Sequence, residues 1–183
     1  MGSRYDDELW ELVPEEPGPP PAHLAAFVRG LGPVECALDL GCGDGRLSAK
    51  LDAVELTAAD VSALALERAR RRLPSARFVE LEPDAPLPLD NAAFDLVLCA
   101  ETIEHVRDVQ LLLSEIRRVL RPSGRLALTT PANLPLGPRP DPLSPHLRQL
   151  TRRSLSRLLS DLGFDVASLR RRSGTLLAVA IRP

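Results

Sequence analysis

The chain is poor in aromatic side chains: four Phe, one Trp and one Tyr make up 3% of its 183 residues. A core with so few rings has to be filled by Leu, Val and Ala, and a surface without them lacks the stacking platforms that grip single-stranded RNA. Lysine is scarcer still, Lys50 being the only one. Basic charge is therefore carried by arginine, which reads as coding bias and not as a nucleic-acid pattern, and a net charge of -2 with a pI near 6.0 argues against an overall polyanion-binding surface. The three cysteines have no C-x-x-C spacing, and their odd number does not suggest a disulfide framework. Cys36 and Cys99 sit in apolar strand contexts and read as buried small hydrophobes. No apolar run approaches the roughly 18 residues of a membrane span. The N-terminus, with Asp6, Asp7 and Glu8, lacks the basic and apolar regions of a signal peptide, so the expected location is the cytoplasm.

What is present is ordinary globular chemistry, 44% hydrophobic and 26% charged, enough for one well-buried core. Residues 1–21 are expected to be a partly ordered lead-in, polar and ending in Pro17-Gly18-Pro19-Pro20-Pro21, with the domain proper over 22–183. Tyr5 and Trp10 lie in that lead-in, and two large amphipathic rings there suggest that it packs down, over the mouth of a binding site or elsewhere.

The most informative stretch is Ala37 to Leu47, A-L-D-L-G-C-G-D-G-R-L. An apolar strand ends in an acid and is followed by Gly41, Gly43 and Gly45 at alternate positions, opening what reads as a helix. Glycines so placed let the backbone turn through positive φ and let a ligand lie against the main chain. A dinucleotide fingerprint would be G-x-G-x-x-G, whereas this loop is G-x-G-x-G behind Asp39. A second acid, Asp60, closes the next strand and precedes Val61 and Ser62. In a doubly wound sheet it stands beside the glycine loop, where a carboxylate can accept from ribose hydroxyls, although Asp60 or Ser62 would equally cap the following helix.

Hydrophobic periodicity then alternates strand and helix. A helix near His23 to Gly30 precedes strands at Cys36 to Leu40 and up to Asp60, and a helix over Ala63 to Arg72 leads to a strand near Ala76 to Leu81. Phe94 to Cys99 is a continuous apolar run of the kind buried on both faces. A helix over Val109 to Leu120, a strand over Arg125 to Thr130 and a helix near Arg152 to Leu162 follow. Strands over Phe164 to Leu169 and Thr175 to Ile181 close the chain, joined by an Arg-Arg-Arg-Ser-Gly turn.

The glycine loop behind Asp39, together with Leu87-Pro88-Leu89, Phe94-Asp95-Leu96-Val97 and Leu120-Arg121-Pro122-Ser123-Gly124, resembles the class I S-adenosylmethionine-dependent methyltransferases, of the type 11 and ubiquinone-biosynthesis kind. The resemblance runs from His23 onward. It implies an α/β fold, a Rossmann-like doubly wound seven-stranded sheet with a C-terminal antiparallel hairpin, and S-adenosylmethionine as cofactor. The cofactor-binding residues it implies are Asp39, Gly41, Cys42, Gly43, Asp60 and Val61, with Cys99 at the end of the fourth strand. An acid after the third strand is expected at the adenine amino group, and the spacing leaves Glu82 and Asp84 open, with Asp84-Ala85 favoured for offering an acceptor and an adjacent N–H.

Methyl transfer from a sulfonium is an in-line displacement, so the protein mainly aligns the acceptor and excludes water, and a general base helps when the acceptor must lose a proton. Candidates follow the fourth strand in Glu101-Thr102-Ile103-Glu104-His105, with Glu101 and His105 as the catalytic pair. A similar E-x-x-E-H helps hold a divalent metal in the ubiquinone-biosynthesis and small-RNA 2′-O-methyltransferases, the latter with a later histidine for which His146 would stand here. Many metal-free relatives carry the same Glu-His-Val, and no metal is expected. The expected partner is a small-molecule acceptor, oxygen before nitrogen, handled by a monomer or homodimer; a metal-assisted RNA enzyme and a non-catalytic cofactor-binding protein are the alternatives. The arginines at 152, 153, 157 and 170–172 could bind an anionic substrate, but read first as solvated faces.

Overall fold

The computed structural model describes residues 2–132 and 147–183, with the side chains of the opening helix from Asp7 on. Among these residues seven strands form one sheet: β1 (Val34–Leu40), β2 (Ala53–Asp60), β3 (Arg77–Glu80), β4 (Phe94–Ala100), β5 (Leu120–Pro131), β6 (Asp165–Arg172) and β7 (Thr175–Ile181). Their order is β3-β2-β1-β4-β5-β7-β6. β1 to β5 are parallel, and β7 runs antiparallel to β5 and β6. This is the expected doubly wound α/β sheet with a C-terminal hairpin.

Five helices accompany the sheet: α1 (Gly2–Leu12), α2 (Ala22–Arg29), α3 (Ala63–Arg72), α4 (Val109–Val119) and α5 (Arg152–Asp161). Leu24, Phe27 and Val28 of α2 pack with Ala37, Leu96, Leu98 and Ala127 on one face, while Leu113 and Ile116 of α4 and Leu155 and Leu159 of α5 meet Leu38, Val97 and Leu128 on the other. With helices on both sides, Leu96 to Cys99 are wholly buried, as an uninterrupted apolar strand requires. Start signals act where the sequence puts them. Ser62 caps α3 by accepting from the Ala65 N–H at 3.0 Å, Asp108 caps α4 through the Leu111 N–H at 2.9 Å, and Thr151 with Ser154 closes a capping box on α5.

The lead-in carries a helix, α1, in a stretch without proline before Pro14. Three expectations are corrected. The residues after Gly45 make only a 3₁₀ turn, Ser48–Lys50. The chain leaves the carboxyl end of β1 at Gly45 and must begin β2 at the amino end; seven residues of α-helix rise only about 10 Å, against about 20 Å along the strand. The arginines expected in the final turn belong to β6, and the turn is Ser173-Gly174, with φ of 48° and 81°, the geometry a tight hairpin demands. Cys36, expected in the core, is half-buried, because it lies toward the amino end of β1, where Arg121 and Glu55 approach its sulfur.

Candidate functional site

The strand order reverses between β1 and β4, and the loops leaving their carboxyl ends flank that crevice. Gly41, Gly43 and Gly45 all have positive φ, at 76°, 53° and 79°. Each also admits a neighbour: a Cβ on Gly41 would collide with Thr102 of the loop after β4, one on Gly43 would lie 2.7 Å from Trp10 Cζ2, and one on Gly45 2.8 Å from Leu73 Cδ1. The alternation thus serves backbone turning and close approach together, and on Gly43 the approaching group is an indole from α1.

α1 is fixed over this region by more than its ring. The Asp7 carboxylate accepts from Ser62 Oγ at 2.5 Å and from the Leu64 N–H at 3.1 Å, adding a second acceptor to the first turn of α3. Arg68 of α3 stands 5.9 Å from the Trp10 ring centroid and donates to the Val13 carbonyl at 2.9 Å.

The predicted acids come together beneath the loop. Asp60 accepts from the Gly43 N–H at 2.8 Å and the Ser62 N–H at 3.0 Å, one on each oxygen, leaving lone pairs on both for a ligand hydroxyl. Burial raises its pKa, an effect those backbone donors offset in part. Asp39 receives Ser48 Oγ at 2.5 Å, and burial with the nearby Asp60 charge, against that hydrogen bond, lifts it to about 7. Burial likewise pushes the Cys42 and Cys99 thiols up, so neither is a ready nucleophile. Cys99 lies in the core among the side chains under α4 and α5, away from solvent. Val61 is half-buried beside Asp60. Glu82 and Asp84-Ala85 both follow β3 and both are within the same loop; Asp84, at φ 55°, lies 3.7 Å from Arg107.

Beyond β4, Glu101 adopts φ 53°, a strained conformation for a residue with a side chain, and accepts from Thr129 Oγ1 at 2.8 Å. Burial raises its pKa. Glu104 goes further in. It is 2% exposed, accepts from Thr130 Oγ1 at 3.0 Å on one oxygen, and among the described residues has no hydrogen-bond partner on the other. Burial, aided by the Glu101 charge and opposed by its hydrogen bonds, raises it to about 7. His105 is more open, and its Nε2 lies 4.0 Å from the unpartnered Glu104 Oε1. Thr129, Thr130, Trp10, Asp7 and Ser48 are site residues that motif reading passed over; only the ring in the lead-in hinted at one of them. His146 falls outside the described residues. Among the described residues no three of His, Cys, Asp and Glu are grouped as metal ligands.

A switch-point crevice bordered by this glycine loop, an acid after β2 and acids after β4 defines the S-adenosylmethionine-dependent methyltransferase class. A methyltransferase domain model matches residues 38–128, and the chain belongs to that family, whose cofactor is S-adenosylmethionine. It is 36% identical over 135 residues to a probable S-adenosylmethionine-dependent methyltransferase of Mycobacterium tuberculosis, covering 71% of this chain and 49% of that protein. It is 39% identical over 95 residues to the malonyl-[acyl-carrier protein] O-methyltransferase of Enterobacter lignolyticus, covering 51% of this chain and 38% of that protein. A SAM-dependent methyltransferase structure from Aquifex aeolicus superposes with a TM-score of 0.71 at 19% identity, over 96% of this chain and 97% of that one. The chain spans about half the length of the curated relatives it matches. No helix among the described residues is long and apolar enough to cross a membrane.

Proposed function

We propose that the chain transfers a methyl group from S-adenosylmethionine to a small-molecule acceptor, with oxygen the favoured atom. The observation that carries this reading is Glu104: buried, raised to about 7, and holding beside His105 one oxygen with no hydrogen-bond partner among the described residues. An acid balanced near neutrality can take the proton that a hydroxyl or phenol loses, which a thioether-forming displacement does not otherwise require. The relative named as an O-methyltransferase acts on a malonyl group, in keeping with an oxygen acceptor.

Asp60, with lone pairs to spare, and the main chain of Gly41 to Gly43 are suited to hold the cofactor's ribose side, with Val61 beside it and Asp84-Ala85 toward the adenine. When bound, the cofactor supplies an electrophilic methyl on a positively charged sulfur. Glu101, set by Thr129, orients the acceptor; Glu104 receives its proton directly or through His105, and Thr130 holds the carboxylate that does so. Burial of Glu104 keeps water from competing for the same oxygen.

The test is to incubate the protein with S-adenosylmethionine and a panel of phenols, alcohols, carboxylic acids, amines and short RNAs. Release of S-adenosylhomocysteine should follow the oxygen nucleophiles and fall at least tenfold in Glu104→Gln. Turnover confined to amines or RNA would sink the reading.

A further inference from the structure

Away from the glycine loop, at the same carboxyl end of the sheet, the first turn of α2 and the β6–β7 hairpin enclose a recess of about 200 Å³ lined by His23, Phe27, Arg170, Arg171, Arg172 and Leu177. Three consecutive arginines on one short strand repel each other, and nothing described near them relieves this. Among the described residues none of the three has a side-chain hydrogen bond or an ion pair, in contrast to Arg46, Arg71, Arg118 and Arg121, which all face acids. His23 is held in place by Thr175 Oγ1 at 3.2 Å. The α2 N-terminus beside it has no side-chain cap, so its free N–H groups add to the positive field.

Register places this recess relative to Thr129 of β5. Arg170 is opposite Leu177 on β7, and Leu177 is opposite Thr129 on β5. Directly paired residues share a face of the sheet, and Thr129 is the residue that holds Glu101. Arg170 is thus two strand spacings from Thr129, about 10 Å, with Leu177 and Thr129 both buried on the face that α2 covers, whereas Thr130, which holds Glu104, is on the opposite face. Arg172 and Thr175 pair on the same face one step nearer the turn.

We infer that this recess binds a compact oxyanion, a phosphate, diphosphate or carboxylate group. The guanidinium fork of Arg170 or Arg172 matches two oxygens of such a group, and His23 supplies a further ring nitrogen. Phe27 and Leu177 form the apolar floor, which strengthens charge pairing above it by excluding water. The anion site stands on the recess alone.

The experiment is calorimetric titration of the whole chain with inorganic pyrophosphate and, separately, succinate, alongside titration with S-adenosylhomocysteine. Saturable sub-millimolar binding of at least one anion is expected, weakened tenfold or more in Arg170→Ala/Arg172→Ala and unchanged in the control Arg152→Ala/Arg153→Ala. Pyrophosphate alone would identify a phosphate ester, succinate alone a carboxylate. Binding of S-adenosylhomocysteine should be the same in all three proteins; its loss from the parent would defeat the methyltransferase reading and leave the anion site standing. No saturable binding of either anion at 10 mM, or equal binding by the double variant, would overturn the inference.

Discussion

The indole of Trp10 rests on the main chain of Gly43, so close that a methyl group at Gly43 would meet Cζ2 at 2.7 Å. The face of the glycine loop that the sequence offers to a cofactor is shared with α1. Because Trp10 is the only tryptophan, its emission reports this contact and nothing else. Titration with S-adenosylhomocysteine is expected to shift or quench that emission. A spectrum indifferent to saturating ligand, with binding verified calorimetrically, would show that the ring stays clear of the cofactor.

Gly43→Val should lower S-adenosylhomocysteine affinity at least tenfold, about 1.4 kcal/mol or more, since a branched side chain would meet the indole and a backbone held at φ 53°. Asp60→Ala should weaken binding to a similar degree and also destabilise the fold by about 1–3 kcal/mol, because the Gly43 and Ser62 N–H groups lose their acceptor. Unchanged binding by both folded variants, measured by calorimetry, would remove the glycine loop and Asp60 from the cofactor site.

Glu104 and Asp39 set a pH dependence whose sign follows from their burial. Both are raised to about 7, from ordinary values of 4.5 and 3.8. Between the unfolded and folded pKa values the native state keeps protons that the unfolded chain has released, so stability is greatest below about pH 4 from these groups and declines as pH rises to about 7. For Glu104 alone the change is at most about 3.5 kcal/mol at about 1.4 kcal/mol per pH unit. Denaturant midpoints between pH 5 and 8 should fall with pH, and less steeply in Glu104→Gln; an identical slope in the variant would assign the effect elsewhere.

Asp7→Ala should free α1, since it removes the acceptor for Ser62 Oγ and the Leu64 N–H. A loss of about 1 kcal/mol is expected from the α3 terminus, with faster proteolytic cleavage before residue 20. Cleavage at the parent rate would mean that Trp10 and Arg68 hold the helix without it.

His105→Ala is expected to reduce turnover while leaving S-adenosylhomocysteine affinity nearly intact, because its ring is on the acceptor side of Glu104. Activity is expected to survive chelation. Activity abolished by a chelator and restored by Mg²⁺, Mn²⁺ or Zn²⁺ would bring Glu101, Glu104, His105 and His146 forward as ligands.

Local signals carried much of this architecture. Ser62 and Asp60 marked the start of α3 because a cap is a short-range bond, and the Phe94–Ala100 strand was plain because burial on both faces leaves no polar alternation to confuse. Long-range contacts were not legible. Nothing near residue 10 announces residue 43, and the depth of Glu104 relative to Glu101 and His105 depends on how the loop after β4 folds under α4 and β5. The arginines at 170–172 look like a turn because an edge strand whose outer side chains meet solvent need not be apolar. The helix expected after Gly45 comes from reading the glycine loop as a helix start, and the seven residues left before Ala53 are too few for it.

That missing helix has an electrostatic consequence. A three-residue 3₁₀ turn aligns too few peptide dipoles to create the positive pole that steadies a pyrophosphate. The nearby guanidinium groups of Arg46 and Arg72 are committed to Asp44, and Asp39 and Asp60 lie directly beneath the loop. The loop therefore presents little positive potential to a pyrophosphate, and its field suits a ligand that brings positive charge with it.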